Sequence, residues 1–277
     1  MSDAVLDSAG TLADVVDVLR GRRLAVLTGA GVSTDSGIPD YRGPDSPPRT
    51  PMTFQQFTGD ERFRRHYWAR NHVGWRHVGR TQPNAGHLAL AQMESDGTVL
   101  GLITQNVDLL HEAAGSRNVI DLHGRYDRVV CLGCHRVIPR TELAQRLEDL
   151  NPHFADEVAD VEIAPDADAV VERTSHFVVA DCAVCGGMLK PDIVYFGETV
   201  PRARVERAYA MVDDGDALLV AGSSLQVQSG LRFVRHAAQT GKPVVIVNRG
   251  TTRGDRHATV TLHAGTSETL TELAATL

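Results

Sequence analysis

No apolar run in this 277-residue chain approaches the roughly 18 residues of a membrane-crossing helix, so the sequence offers no candidate span. No basic run is long enough to track a phosphate backbone, and the formal net charge of −7 argues against sequence-independent nucleic-acid binding. The short cluster Arg62-Phe63-Arg64-Arg65 reads as one exposed helix face. The first residues lack the pattern of a secretory signal or an Arg-rich transit peptide, since Asp3, Asp7, Asp14 and Asp17 fall among them; the expected location is the cytoplasm. No internal repeat is evident. Cysteine is scarce, with four residues and none left over from pairing. With 42% hydrophobic and 23% charged residues the composition excludes a disordered or fibrous class, and the length suffices for a sizeable core.

One more absence is informative. The apolar run Leu24-Ala25-Val26-Leu27 leads into closely spaced glycines, Gly29 and Gly31, as a buried parallel strand leads into a phosphate-binding turn. In the ordinary dinucleotide fingerprint a third glycine would stand where Thr34 does, and no acidic residue ends a second strand about 20 residues on. Gly29 and Gly31 are expected to let the backbone approach a pyrophosphate, with the next helix N-terminus supplying N–H donors. Ser36-Gly37-Ile38-Pro39-Asp40-Tyr41-Arg42 reads as a loop folded over a ligand.

Strand-like runs at residues 24–28, 100–104, 119–122, 193–196, 217–221 and 243–248 alternate with helical periodicity at 11–19, 86–94, 108–114, 202–212, 231–239 and 267–276. This alternation predicts an α/β fold with a Rossmann-like, mostly parallel sheet covered on both faces. Ligands of such sheets lie beyond the carboxyl ends of the strands. Polar signatures follow the strands there: Gly29-Ala30-Gly31, Gln105-Asn106-Val107-Asp108, His123-Gly124, Gly222-Ser223-Ser224 and Asn248-Arg249-Gly250. Two segments break the alternation and are expected to form a smaller inserted domain, part helical and part zinc ribbon. The division is residues 1–43, 80–124 and 190–277 for the nucleotide-binding domain, and 44–79 and 125–189 for the smaller one.

The cysteines form two C-x-x-C pairs, Cys131/Cys134 and Cys182/Cys185, suited to one closed tetrahedral Zn²⁺ site. Disulfides and a redox motif are the alternatives; a reducing compartment disfavours the first, and the doubled motif the second. His135 reads as a surface residue. At a strand end, His123 is placed to act as a general base, against the plainer reading of a buried, hydrogen-bonded histidine. Asn106 and Asp108 either cap a helix or contact a carboxamide-bearing ring or a ribose. Ser223 and Ser224 either cap a helix or sit where Gly222 allows a second approach to phosphate or ribose.

The strings at residues 29–42, 104–111 and 122–124, the two cysteine pairs, Lys190-Pro191-Asp192-Ile193-Val194-Tyr195-Phe196-Gly197-Glu198 and Gly222-Ser223-Ser224-Leu225 together resemble those of the sirtuins, NAD-dependent protein-lysine deacylases. The resemblance covers nearly the whole chain in the correct order. Pro39-Asp40-Tyr41-Arg42, Tyr67-Trp68-Ala69-Arg70-Asn71, Cys185-Gly186-Gly187 and Ser223-Ser224-Leu225-Gln226-Val227 resemble the bacterial-type, class II, sirtuin-four-like branch.

The resemblance implies NAD consumed as a co-substrate and one structural zinc. Gly29, Ala30 and Gly31 would lie at the pyrophosphate, and Ile38, Asn106 and Asp108 would form the nicotinamide pocket. The loop through Ser33, Pro39, Tyr41 and Arg42 would hold the nicotinamide end, and Gln105, Ser223, Ser224 and Asn248, beside Arg249 and Gly250, the riboses or adenine side. Backbone near Thr266 would close over the adenine. Tyr41, Val107, His123, Ile193 and Phe196 would line an acyl-lysine tunnel, with the peptide added as a strand beside the Val194–Glu198 segment, which includes Gly197.

In the implied reaction the acyl oxygen attacks the ribose carbon bearing nicotinamide, and His123 then takes a ribose proton so that the 2′-hydroxyl attacks in turn. The products are free lysine, nicotinamide and an O-acyl ester of ADP-ribose. Tyr41 stands where many relatives carry Phe, and Arg49 lies nearby to greet an acidic acyl group. Tyr67 and Arg70 have the Tyr-x-x-Arg spacing associated with acidic acyl groups, but their helical setting reads as packing. Two further readings stand beside deacylation: protein mono-ADP-ribosyl transfer and a non-catalytic NAD-sensing module. The acyl group, the protein substrate and the oligomeric state are not legible in the sequence.

Overall fold

The structure, a computed structural model, describes residues 10–40, 51–78, 81–154, 156 and 174–277, so Tyr41, Arg42 and Arg49 lie outside the described residues. Strands β1 (Leu24–Thr28), β7 (Ala217–Ala221) and β8 (Val244–Val247) are buried at every position, as strands covered on both faces are. With β2 (Val99–Thr104), β3 (Val119–Asp121) and β9 (Val260–Leu262) they form a six-stranded sheet in the order β3-β2-β1-β7-β8-β9. Every pairing in it is parallel.

The period-2 alternation of strand side chains builds two separate cores. Leu24, Val26, Leu219, Ala221, Val245 and Val247 face helices α1 (Leu12–Leu19), α4 (Ala85–Ser95) and α9 (Thr266–Thr276). Ala25, Leu27, Leu218, Val220, Val244 and Ile246 face α7 (Arg202–Asp214) and α8 (Gln228–Gln239). Local signals start the helices: Thr11 and Asp14 form a capping box on α1, and the Asn84 side chain accepts from the Gly86 and His87 amides on α4.

A second, antiparallel sheet pairs β4 (Gly124–Cys131) between β5 (Val137–Pro139) and β6 (Leu189–Ile193). It packs with α2 (Phe54–Gly59), α3 (Glu61–Val78) and α6 (Arg140–Leu150) around a third core that includes Phe57, Tyr67, Trp68, Leu143, Leu147 and Tyr195. Tyr67 is buried there edge-on to Phe57 and Tyr195, which is a packing role.

Three expectations need correction. The helix expected after Gly31 is two single 3₁₀ turns, Ala30–Val32 and Thr34–Ser36, the second of them ended by Gly37 at φ +86°. The run at 193–196 is not a strand of the main sheet. Its start, Ile193, ends β6, and Phe196 makes only an isolated bridge to Thr53, because the Glu198 carboxylate draws the Tyr195 amide into a turn. The helix expected from residue 108 is the short α5 (Leu110–Ala113), displaced because Leu109 takes a left-handed φ of +66°. Among the described residues no helix is long and apolar enough to cross a membrane.

Candidate active site and metal centre

From β1 the strands are added first toward β3 and then, starting with β7, toward β9. The strand order thus reverses between β1 and β7, and the ligand crevice of an open parallel sheet opens outside the carboxyl ends at such a point. The loops after these two strands interlock. A Cβ on Gly29 would lie 2.8 Å from the Gly222 carbonyl oxygen, and one on Gly222 would lie 2.4 Å from the Val32 nitrogen. The Gly31 amide donates to the Gly222 carbonyl at 2.8 Å. These glycines are therefore required first for the loops to approach one another.

Above that junction lies a cleft. Its wall brings together Gly29, Ala30, Gly31, Ser33, Ile38, Gln105, Asn106, Val107, Asp108 and His123 with Ile193, Val194, Phe196, Gly222, Ser223, Ser224, Asn248, Arg249 and Gly250. It also includes Asp40, Tyr195 and Leu225, which the sequence motifs contain without a role of their own, and Met52 and Thr251, which they do not contain. Pro39, Gly197 and Thr266 are not part of the wall. Gly197, at φ +79°, packs on Gln55, whose Nε2 donates to its carbonyl. Thr266 opens α9 and donates from Oγ1 to the Gly31 carbonyl at 3.1 Å, buttressing the glycine turn from behind.

One end of the cleft is a closed polar cluster. Ser33 Oγ donates to Asp108 Oδ2 at 2.7 Å and accepts from Asn106 Nδ2 at 3.1 Å, while Asn106 Nδ2 also reaches the Gly29 carbonyl. The other Asp108 oxygen accepts the Leu110 amide at 3.0 Å, so Asp108 both caps α5 and faces the cleft. Burial raises the Asp108 carboxyl above its ordinary value, and the Ser33 and Leu110 bonds oppose that shift.

His87 stands behind this cluster with its Nε2 3.5 Å from Ser33 Oγ, and its Nδ1 accepts the Asn84 amide. Burial holds His87 down at about 4, hence neutral. Sequence reasoning missed it. A helical histidine carries no local signal of reaching a serine more than fifty residues away.

His123 follows β3 and leads into Gly124, whose φ is +91°. A Cβ on Gly124 would stand 2.0 Å from the Asp192 oxygen, so only glycine lets the strand end lie this close to β6. The His123 Nδ1 lies 3.0 Å from the Gln105 carbonyl, which can only accept, so Nδ1 carries the proton and Nε2 presents its lone pair. Ser229 Oγ lies 2.7 Å from Nε2. Burial holds His123 at about 4, partly offset by the Gln105 bond, so the ring is neutral and free to accept a proton at physiological pH.

The four cysteine sulfurs lie within 4.8 Å of one another. Cys131 and Cys185 are 3.5 Å apart, and Cys134 and Cys182 3.8 Å. Bonds of about 2.3 Å to a tetrahedral zinc place sulfurs roughly 3.8 Å apart, whereas a disulfide needs about 2 Å. The donor set fits zinc. Amides of Gly133 and Cys134 point at Cys131 Sγ and lower its thiol, and those of Val184 and Cys185 lower that of Cys182, while the adjoining sulfurs raise that of Cys185. A Cβ on Gly187 would press on two of the sulfurs at 3.0 and 3.1 Å. His135 is exposed and is not one of the clustered residues.

The Sir2 family model matches residues 29–229, and the chain belongs to the Sir2 family. The NAD-dependent protein deacetylase 1 of Mycobacterium avium (strain 104) is 64% identical over 264 residues, 94% of this chain and 94% of that protein. The NAD-dependent protein deacetylase 1 of Streptomyces coelicolor is 56% identical over 249 residues, 89% of this chain and 83% of that protein. A solved Sir2 structure with a p53 peptide and NAD+ is similar at a TM-score of 0.70 and 28% identity, over 96% of this chain and 98% of that one.

Proposed function

We propose that this chain is an NAD-dependent protein-lysine deacylase that consumes NAD and an acyl-lysine peptide, releasing nicotinamide, free lysine and an acyl ester of ADP-ribose. The observation that carries the reading is the juxtaposition on one cleft wall of a neutral His123, its Nδ1 engaged by a carbonyl, with the Ser33–Asn106–Asp108 cluster. Its relatives' names agree with it.

On this reading Asn106 and Asp108, oriented by Ser33, receive the carboxamide of nicotinamide. Gly29 to Gly31 and the facing Gly222 turn border the pyrophosphate, and Gln105, Ser223, Ser224 and Asn248 face the riboses. His123 takes a proton from a ribose hydroxyl at Nε2 while Nδ1–H stays on the Gln105 carbonyl. A neutral imidazole serves as a base without first losing a proton. Met52, Val107, Ile193, Val194 and Phe196 supply the apolar wall for the acyl-lysine stem. The zinc ties the two cysteine knuckles together and takes no part in the chemistry.

The proposal extends to a sirtuin-four-like subclass and a cytoplasmic location. It also divides the chain between a nucleotide-binding domain and a smaller zinc-holding one. Incubation with NAD and a panel of acetyl-, propionyl-, succinyl- and long-chain acyl-lysine peptides tests it, scored by nicotinamide release. Release that depends on an acylated peptide and falls about 10²- to 10⁴-fold in His123→Ala is expected. Near wild-type turnover in that variant, or a stable ADP-ribose adduct on an unacylated acceptor, would sink it.

A further inference from the structure

His123 is hydrogen-bonded through both ring nitrogens, and the partner of the working one, Nε2, is a serine more than a hundred residues further along the chain. Ser229 is the second residue of α8, and the first turn of that helix packs on Gln105, which directly follows β2. Gly230 lies so close to Gln105 that a Cβ there would meet the Gln105 Nε2 at 2.8 Å. Gln105 in turn accepts Nδ1–H of His123 on its carbonyl and the Ser223 hydroxyl on its side chain at 2.6 Å. The imidazole is thus clamped between Gln105 and Ser229.

We propose that Ser229 is a positioning residue for the base: its hydroxyl holds the His123 ring by Nε2 before proton transfer and accepts the Nε2–H bond after it. The inference rests on the deacylase reading of the cleft. In the resting state the Nε2 lone pair can only accept, so the Ser229 O–H donates to it. As the ribose hydroxyl approaches, it displaces the Ser229 O–H from that lone pair; when the ribose O–H bond breaks, its proton and Nε2 form the new N–H bond, and the imidazolium has two donors.

Gln105 serves one donor. Rotation of the Ser229 hydroxyl about Cβ–Oγ presents an oxygen to the other, with no net change in the protons of the serine. An acceptor matters here because burial disfavours the imidazolium, and Arg232 on α8 and Arg204 on α7, the latter paired with Asp192 at 3.0 Å, disfavour it further. Bonds to a charged donor are the stronger kind.

The test compares Ser229→Ala and Ser229→Thr with the wild type on two readouts. One is acyl-peptide-dependent exchange of labelled nicotinamide into NAD, which reports the step before proton removal. The other is the kcat of deacylation. In Ser229→Ala, deacylation is expected to fall about tenfold or more relative to exchange, with little change in KM for NAD, and Ser229→Thr, which keeps the hydroxyl, is expected to restore most of it.

Wild-type deacylation in Ser229→Ala overturns the proposal. So do equal losses in both readouts with threonine no better than alanine, since that is the mark of a structural role alone. Absence of acyl-peptide-dependent nicotinamide release in the wild type overturns the deacylase reading itself, an outcome distinct from an unaffected variant.

Discussion

Several residues at the cleft occupy backbone conformations that cost energy. Leu109 and Leu225 hold φ of +66° and +54° without being glycine, and each is of the kind that costs about 1–3 kcal/mol. Leu109 separates Asp108, which faces the cleft, from α5, and Leu225 is itself on the wall. His135 and His153 share this conformation away from the cleft, so the φ values alone do not mark the site; crowding at the strand end does. Gly124 is the clearest case, since both its φ and the 2.0 Å approach to Asp192 forbid a side chain. Gly124→Ala is expected to destabilise the protein by about 2–4 kcal/mol and to displace His123. A shift in the urea midpoint, read beside nicotinamide release, checks it; a variant with unaltered stability would refute the packing argument.

Among the elements, α3 and α6 are joined by a buried cation. Arg140 is fully buried, donates to the Asn71 side chain at 3.0 and 3.3 Å and to its carbonyl, and lies between Trp68 and Trp75 with ring centroids at 5.5 and 5.1 Å. Arginine suits this place because its planar, weakly hydrated guanidinium stacks on indole, and burial already lowers its proton affinity. Arg140→Lys keeps the charge but loses the fork and the stacking, and is expected to cost about 2–4 kcal/mol in denaturant unfolding. A loss below half a kilocalorie would mean that the charge alone matters.

The cysteine knuckles bind the inserted segments in another way, through β4 and the chain leading into β6. One equivalent of zinc per chain is expected by elemental analysis. Its removal by a strong chelator should lower the thermal midpoint and abolish activity together, because the metal supplies folding free energy rather than chemistry. Retained activity after complete removal would contradict a structural role.

Across the whole molecule, His87, His111 and the partly buried His123 set a pH dependence. His87 and His123 are held at about 4 and His111 at about 3, all by burial first, against an ordinary value of 6.5. The folded state therefore binds fewer protons than the unfolded chain as pH drops below 6.5. Their contribution is fully present above that value and is lost as pH falls toward about 4, at about 1.4 kcal/mol per unit for each histidine. Asp108 and Asp121, whose carboxyls burial raises, act in the opposite sense at the acid end. Unfolding free energy is expected to decline by several kcal/mol between pH 6.5 and 5. A flat profile across that interval would show that these rings are solvated.

The part of this protein that its sequence determined alone rests on short-range rules. Apolar runs such as residues 24–28 and 217–221 had to be buried strands, and a parallel sheet puts its polar loops at one edge, so Gly29, Asn106, His123 and Ser223 were legible as neighbours. The cysteine quartet was equally legible, because two C-x-x-C knuckles have few other uses.

Only the tertiary structure decided which side chains complete the site. His87 meets Ser33 and Ser229 meets His123 across long stretches of chain. It also decided that Gly29 and Gly222 are small for each other's sake. Those contacts arise from the packing of helices on a sheet. A helical serine or histidine has the same local pattern whether it faces a partner or water, so no spacing in the sequence carries that information.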